Sequence, residues 1–75
     1  MNTSTWTVSD VANYFKQIGL GQYSESFIEN DISGSELPYL TDEYMYELGI
    51  KSVGHRIKLN CFIKTIKNVE YDFPP

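Results

Sequence analysis

Hydrophobic positions along this chain recur at helical spacing, and none alternate in the two-residue rhythm of a strand. Val8, Val11, Phe15 and Ile18 mark one face of a first helix. Thr7 with Asp10 three residues later forms its capping signal, and Gly19 is its stop. Tyr23, Phe27 and Ile28 define a second helix that ends near Asn30–Asp31, with Glu25 and Glu29 on its opposite side. Ile32 follows as a loop anchor and Ser33–Gly34 as a turn. Residues 35–40 contain Pro38 and fit a single helical turn pointing Leu37 and Leu40 inward. Thr41 caps the next helix, with Asp42 and Glu43 in its first turn, where the helix dipole favours acids. Tyr44, Met45 and Leu48 are its apolar face and Gly49 its end. A last and longest helix starts near Ser52 or Val53, with Leu59, Phe62, Ile63 and Ile66 as its stripe. The pattern predicts an all-α, compact five-helix bundle, one helix very short and the C-terminal one long.

Seventy-five residues make one small domain, which buries only about 60% of its unfolded surface and has no room for a large cleft. The chain is 41% hydrophobic and 15% aromatic, enough for a core. No apolar run approaches the roughly 18 residues of a membrane span. The opening MNTSTW lacks the basic and apolar blocks of a signal peptide. One cysteine, Cys61, excludes an internal disulfide and supplies too few soft ligands for zinc, and one histidine, His55, is equally short of metal or triad chemistry. No cofactor is expected, and the cysteine usage suits a reducing compartment, cytosol or nucleus, with the cytoplasm the expected location. Cys61 sits beside the core stripe and reads as a half-buried, inert thiol.

Charge divides the chain unevenly. Residues 1–50 carry one base, Lys16, against eight acids, and no Lys or Arg occurs from 20 to 50. Residues 51–75 carry five bases against two acids. Arg56 and Lys58 fall near the start of the last helix, where a cation is mildly disfavoured and calls for a reason. Asp42, Glu43 and Glu47 lie on a short amphipathic helix without a nucleophile or a water-excluding cleft, which argues against acid–base catalysis. Tyr14, Tyr23 and Tyr44 suit packing at the core edge, whereas Tyr39, Tyr46 and Tyr71 suit exposure. Trp6 is expected to pack where the chain ends meet. These features describe a binding module, not an enzyme.

The ordered set Trp6-Thr7-Val8, Val11, Phe15, Ile18-Gly19-Leu20, Tyr23, Phe27, Ile32, Gly34, Leu37, Leu40, Leu48-Gly49-Ile50 and Gly54-His55-Arg56-x-Lys58 closely resembles a sterile alpha motif (SAM) domain over residues 6–68. The resemblance implies a SAM domain over 6–69, a disordered N-terminus over 1–5, and a tail or linker start over 70–75. It implies a bundle that binds another SAM domain, homotypically or heterotypically, and possible self-association. One pole would be basic, at the start of the last helix: Lys51, Val53, Gly54, His55, Arg56 and Lys58. Gly54 would let a partner backbone approach, and the helix N-terminus favours an incoming carboxylate. The other pole would be acidic: Asp31, Glu36, Asp42, Glu43 and Glu47. Such a module would assemble a signalling complex, and the chain is similar to SAM domains of fungal MAP kinase kinase kinases and their adaptors. If Met1 is the native start, the domain opens a longer protein. The alternative is an RNA-hairpin-binding SAM domain using the bases of the last helix. Against it stand a sequence pI near 4.7 and only three clustered cations, Lys51, Arg56 and Lys58. A lipid surface is disfavoured for lack of a basic amphipathic helix with exposed aromatics.

Overall fold

The computed structural model describes residues 2–70, with side chains through residue 67. Helix α1 spans Val8–Gln17, α2 Ser24–Glu29, α3 Asp42–Glu47 and α4 Val53–Glu70, with 3-10 turns at Gly21–Tyr23 and Leu37–Tyr39. No strand occurs among the described residues. The fold is therefore all-α, and the very short fifth helix expected at 35–40 is the Leu37–Tyr39 turn.

Local chemistry sets the boundaries. At the start of α1, the Thr7 amide donates to Asp10 Oδ2 at 3.0 Å and the Asp10 amide to Thr7 Oγ1 at 3.1 Å, a reciprocal capping box. Thr41 Oγ1 accepts from the Tyr44 amide at 3.2 Å and caps α3. Gly19 and Gly49 follow α1 and α3 with φ of +85° and +92°, the left-handed region in which a residue with a Cβ is strained.

The core draws on all four helices and the Leu37–Tyr39 turn. Val11 and Phe15 of α1, Phe27 of α2, Leu37 of the 3-10 turn, Met45 of α3, and Leu59, Ile63 and Ile66 of α4 are all buried. Phe15 and Phe27 tilt against each other with centroids 4.6 Å apart, joining α1 to α2. A second aromatic series runs along the outside of that joint. Trp6 packs on Tyr14 at 5.1 Å, and Tyr14 stacks on Phe62 of α4 at 4.9 Å. Trp6 thus links the N-terminal segment to the last helix by way of Tyr14. The long α4 stripe, Leu59, Ile63 and Ile66, faces the core as expected, with Phe62 half-buried beside it.

Several expectations are corrected. The segment read as a disordered N-terminus is packed at Thr3, which is fully buried. The Trp6 amide donates to the Thr3 carbonyl at 2.9 Å, and the Gly34 amide to the Trp6 carbonyl at 3.0 Å. A Cβ at residue 34 would lie 1.7 Å from the Thr3 carbonyl oxygen, so glycine is required there by close backbone approach. Helix α4 continues through Glu70, the first residue of the expected tail over 70–75. Ile28 and Tyr44 were assigned to apolar faces but are 47% and 54% exposed. Each lies on a helix of six residues, too short for two turns to define a stripe. Cys61 is exposed rather than half-buried. Tyr71 and the tail beyond Glu70 lie outside the described residues.

Candidate protein-interaction surfaces

The start of α4 is built by Ser52, whose Oγ accepts from the His55 amide at 3.3 Å while its carbonyl receives the Arg56 amide at 3.0 Å. The first helical amides have no partner within a helix, so Val53 and Gly54 present theirs at the positive end of the α4 dipole. The six residues of the expected basic pole then separate into two groups. Lys51, Val53, Gly54 and Lys58 are exposed. A Cβ added at Gly54 would meet only Ser52 Oγ, at 3.9 Å, so the fold itself leaves this position open.

His55 and Arg56 are half-buried and held inward. His55 Nδ1 and Tyr23 Oη share a 2.6 Å hydrogen bond, and the two rings meet edge to face at 5.5 Å. Arg56 Nη1 donates to the Ile50 carbonyl at 2.9 Å. This bond gives the physical reason for a cation in the first turn of α4: the guanidinium closes the α3–α4 connector. The residue missed by sequence reasoning is Ile57, 57% exposed and one turn after Val53, itself 61% exposed. The i, i+4 spacing of this pair, off the core stripe, was the available signal.

The acidic residues also divide. Between the end of α2, the Leu37–Tyr39 turn and α3 lies a cavity of about 280 Å³. Ile32, Leu40 and Leu48 contribute apolar lining, and Tyr39, Tyr44, Glu36 and Glu47 also line it. Tyr39 and Tyr44 are 68% and 54% exposed, so the groove is open to a partner. Tyr39 was expected at the surface; its place beside the acids was not. Glu36 is the most constrained carboxylate. Its Oε1 accepts from the Ser33 hydroxyl at 2.6 Å and the Ser33 amide at 2.8 Å, and Oε2 from the Ser35 hydroxyl at 2.7 Å. These donors, the Ser33 hydroxyl first, hold its pKa below the ordinary value. Asp31 lies beside the groove in a left-handed conformation, φ 56°. Glu43 is exposed on α3. Asp42 is set apart: its Oδ1 accepts from Asn60 Nδ2 of α4 at 3.1 Å, tying α3 to α4.

Among the described residues no group of three His, Cys, Asp or Glu side chains converges to hold a metal ion. No described helix is long and apolar enough to cross a membrane.

Comparison with known proteins gives one consistent answer. The SAM domain (sterile alpha motif) profile matches residues 3–67, starting at the buried Thr3 rather than at Trp6. Over 61 residues, 81% of the chain, the sequence is 39% identical to SH3 and multiple ankyrin repeat domains protein 2 of Rattus norvegicus. Over 67 residues, 89% of the chain, it is 37% identical to the mitogen-activated protein kinase adapter protein MST50 of Pyricularia oryzae. The matches span 4% and 14% of those two proteins' lengths. In the crystal structure of the Scm-SAM and Sfmbt-SAM heterodimer, one chain superposes with a TM-score of 0.71 at 31% identity, covering 88% of this chain and 94% of that one. The chain belongs to the sterile alpha motif family, and it is a protein-interaction module, not an enzyme.

Proposed function

We propose that this domain docks onto another SAM domain, the exposed start of α4 on one molecule meeting the acid-rimmed groove on the next, and so assembles a signalling complex. The carrying observation is that both halves of such a contact are present on one chain. The α4 start offers Lys51 and Lys58 around the apolar pair Val53 and Ile57, with Gly54 open to close approach. The groove offers apolar lining behind Glu36 and Glu47. Opposite charges orient the encounter, and the apolar groups supply area to bury. The solved heterodimer of two SAM domains, similar in fold and sequence, supports this mode of partnership.

Sedimentation velocity over a wide concentration range, at low and moderate salt, tests the reading. The expected result is a mass that grows with concentration and falls with salt. A monomer under all conditions removes self-docking and leaves only a different SAM domain as partner.

We also infer that the parent protein is an adaptor acting in the cytoplasm within a MAP kinase cascade. The 37% identity to a fungal mitogen-activated protein kinase adapter protein supports the adaptor part of this reading. Recovery of a MAP kinase kinase kinase with the full-length parent, lost on Lys58→Glu, is the expected outcome. Recovery unaffected by that variant assigns the link to another part of the parent.

A further inference from the structure

We propose that a groove along α1, walled by Trp6 and Tyr14, is a seat for a proline-bearing extended segment, and that the chain's own Phe73-Pro74-Pro75 occupies it. The groove, of about 430 Å³, is lined by Trp6, Asp10, Asn13, Tyr14 and Gln17 and shares no residue with the two surfaces described above. Trp6 and Tyr14 are half-buried, with ring centroids 5.1 Å apart and planes tilted by 57°, so the pair forms an angled apolar wall. Asn13 and Gln17 are exposed one turn apart on α1, and their side-chain amides can donate to peptide carbonyls.

That combination suits one kind of occupant. A polyproline II segment makes no internal hydrogen bonds, so its carbonyls stay free, and its proline rings pack on aromatic walls. Phe73-Pro74-Pro75 has this chemistry: each proline disfavours helical backbone in the residue before it, and neither carries an amide hydrogen.

Helix direction brings the segment to the groove. Tyr23, beyond the C-terminal end of α1, meets His55 in the first turn of α4, and Tyr14 within α1 meets Phe62. The two helices therefore run in opposite senses, and α4 ends beside the start of α1, next to Trp6 and Asp10. From Phe62 to Glu70 the helix advances about 12 Å, against about 10 Å from Tyr14 back to Thr7. Five extended residues after Glu70 span up to about 17 Å. That exceeds the roughly 10 Å from Asp10 to Gln17 along α1. The seat does not depend on docking and holds in a monomer.

Trp6 is the one tryptophan of the chain, so its fluorescence reports on this groove alone. The full chain is compared with the same chain carrying Phe73→Ser, Pro74→Ser and Pro75→Ser, with helix content checked by circular dichroism. In the variant the Trp6 emission is expected to shift to longer wavelength and to be quenched more readily by acrylamide. Equal emission and equal quenching overturn the seat. The unaltered chain gives a second measurement that needs no variant. Nuclear Overhauser contacts are expected between the Trp6 and Tyr14 ring protons and the Pro74 ring protons, at every concentration. Their absence overturns the proposal. Contacts that appear only as concentration rises place the segment of a second copy in the groove and overturn the own-chain assignment.

Discussion

At the scale of single residues, Gly34 is fixed by a close backbone approach and Glu36 by the serine donors around its carboxylate. A methyl group at residue 34 collides with the Thr3 carbonyl oxygen, and that atom is backbone, unable to swing aside. Gly34→Ala must then expel the N-terminal segment or strain the Ser33 turn. Chemical denaturation is expected to show a loss above the ~0.5 kcal/mol typical of surface substitutions. The loss should shrink in a chain lacking residues 1–5, where the Thr3 carbonyl is gone and the 2.9 Å approach to Trp6 Cβ remains; an equal loss there would refute the account. Glu36 carries a pH signature. Its pKa is depressed from 4.5 by the serine donors. A depressed carboxylate contributes stability that is present above the unfolded value and lost as pH falls through the folded one. Relative to Glu36→Gln, the parent chain should therefore hold a constant advantage above pH 4.5 that shrinks below it. The side chain is exposed, so solvent screening keeps the effect small. Denaturation curves of the two chains across that window check the sign.

At the scale of elements, the long helices carry their own evidence and the short ones do not. Helix α1, with its capping box, apolar face and glycine stop, was legible throughout. So was the α4 stripe. Leu59→Ala removes a side chain with no exposure from the start of that stripe. It should cost about 2–5 kcal/mol, read as a lower denaturation midpoint; a cost near zero would mean that α4 does not close the core. Such a loss approaches the whole stability of a small domain. By contrast, α2 and α3 have six residues each, and their periodicity could not place Ile28 or Tyr44. Thr3 was illegible for a different reason: nothing in a small polar residue announces that its carbonyl will be covered by a glycine thirty-one positions away. The inward turn of Arg56 was half legible, since its unfavourable place on the dipole demanded a partner without naming the Ile50 carbonyl. The same scale separates Gly54 from Gly34. An α-helical site open on all sides gains from a Cβ, so Gly54→Ala should hold or slightly raise stability, by up to ~1 kcal/mol. It should nonetheless weaken docking if a partner backbone lies against that position. Undiminished docking would mean that the partner stays clear of Gly54.

At the scale of the whole molecule, two different surfaces that fit each other make a heterologous contact, and such a contact grows into an open chain unless its rotation closes a ring. Acidic and basic poles are readable as charge blocks in the amino-acid sequence. Which members work together is not, because Asp42 is spent on Asn60 and Arg56 on Ile50. Variants should accordingly be placed at exposed members that hold no hydrogen bond within the chain. Lys58→Glu disables one pole, and Glu43→Lys with Glu47→Lys disables the other. Each variant alone keeps a single competent pole with nothing to receive it, so each is expected to remain monomeric. Mixed in equal amounts they retain one good pole of each kind, which permits one contact and no growth. The mixture should sediment at twice the 8.7 kDa of the chain, whatever the excess concentration, and dissociate as salt is raised. A mixture that stays monomeric while the parent chain self-associates would show that copies join through some other surface. Far-ultraviolet circular dichroism guards the comparison, because both variants must keep the helix content of the parent for the loss of mass to report on docking.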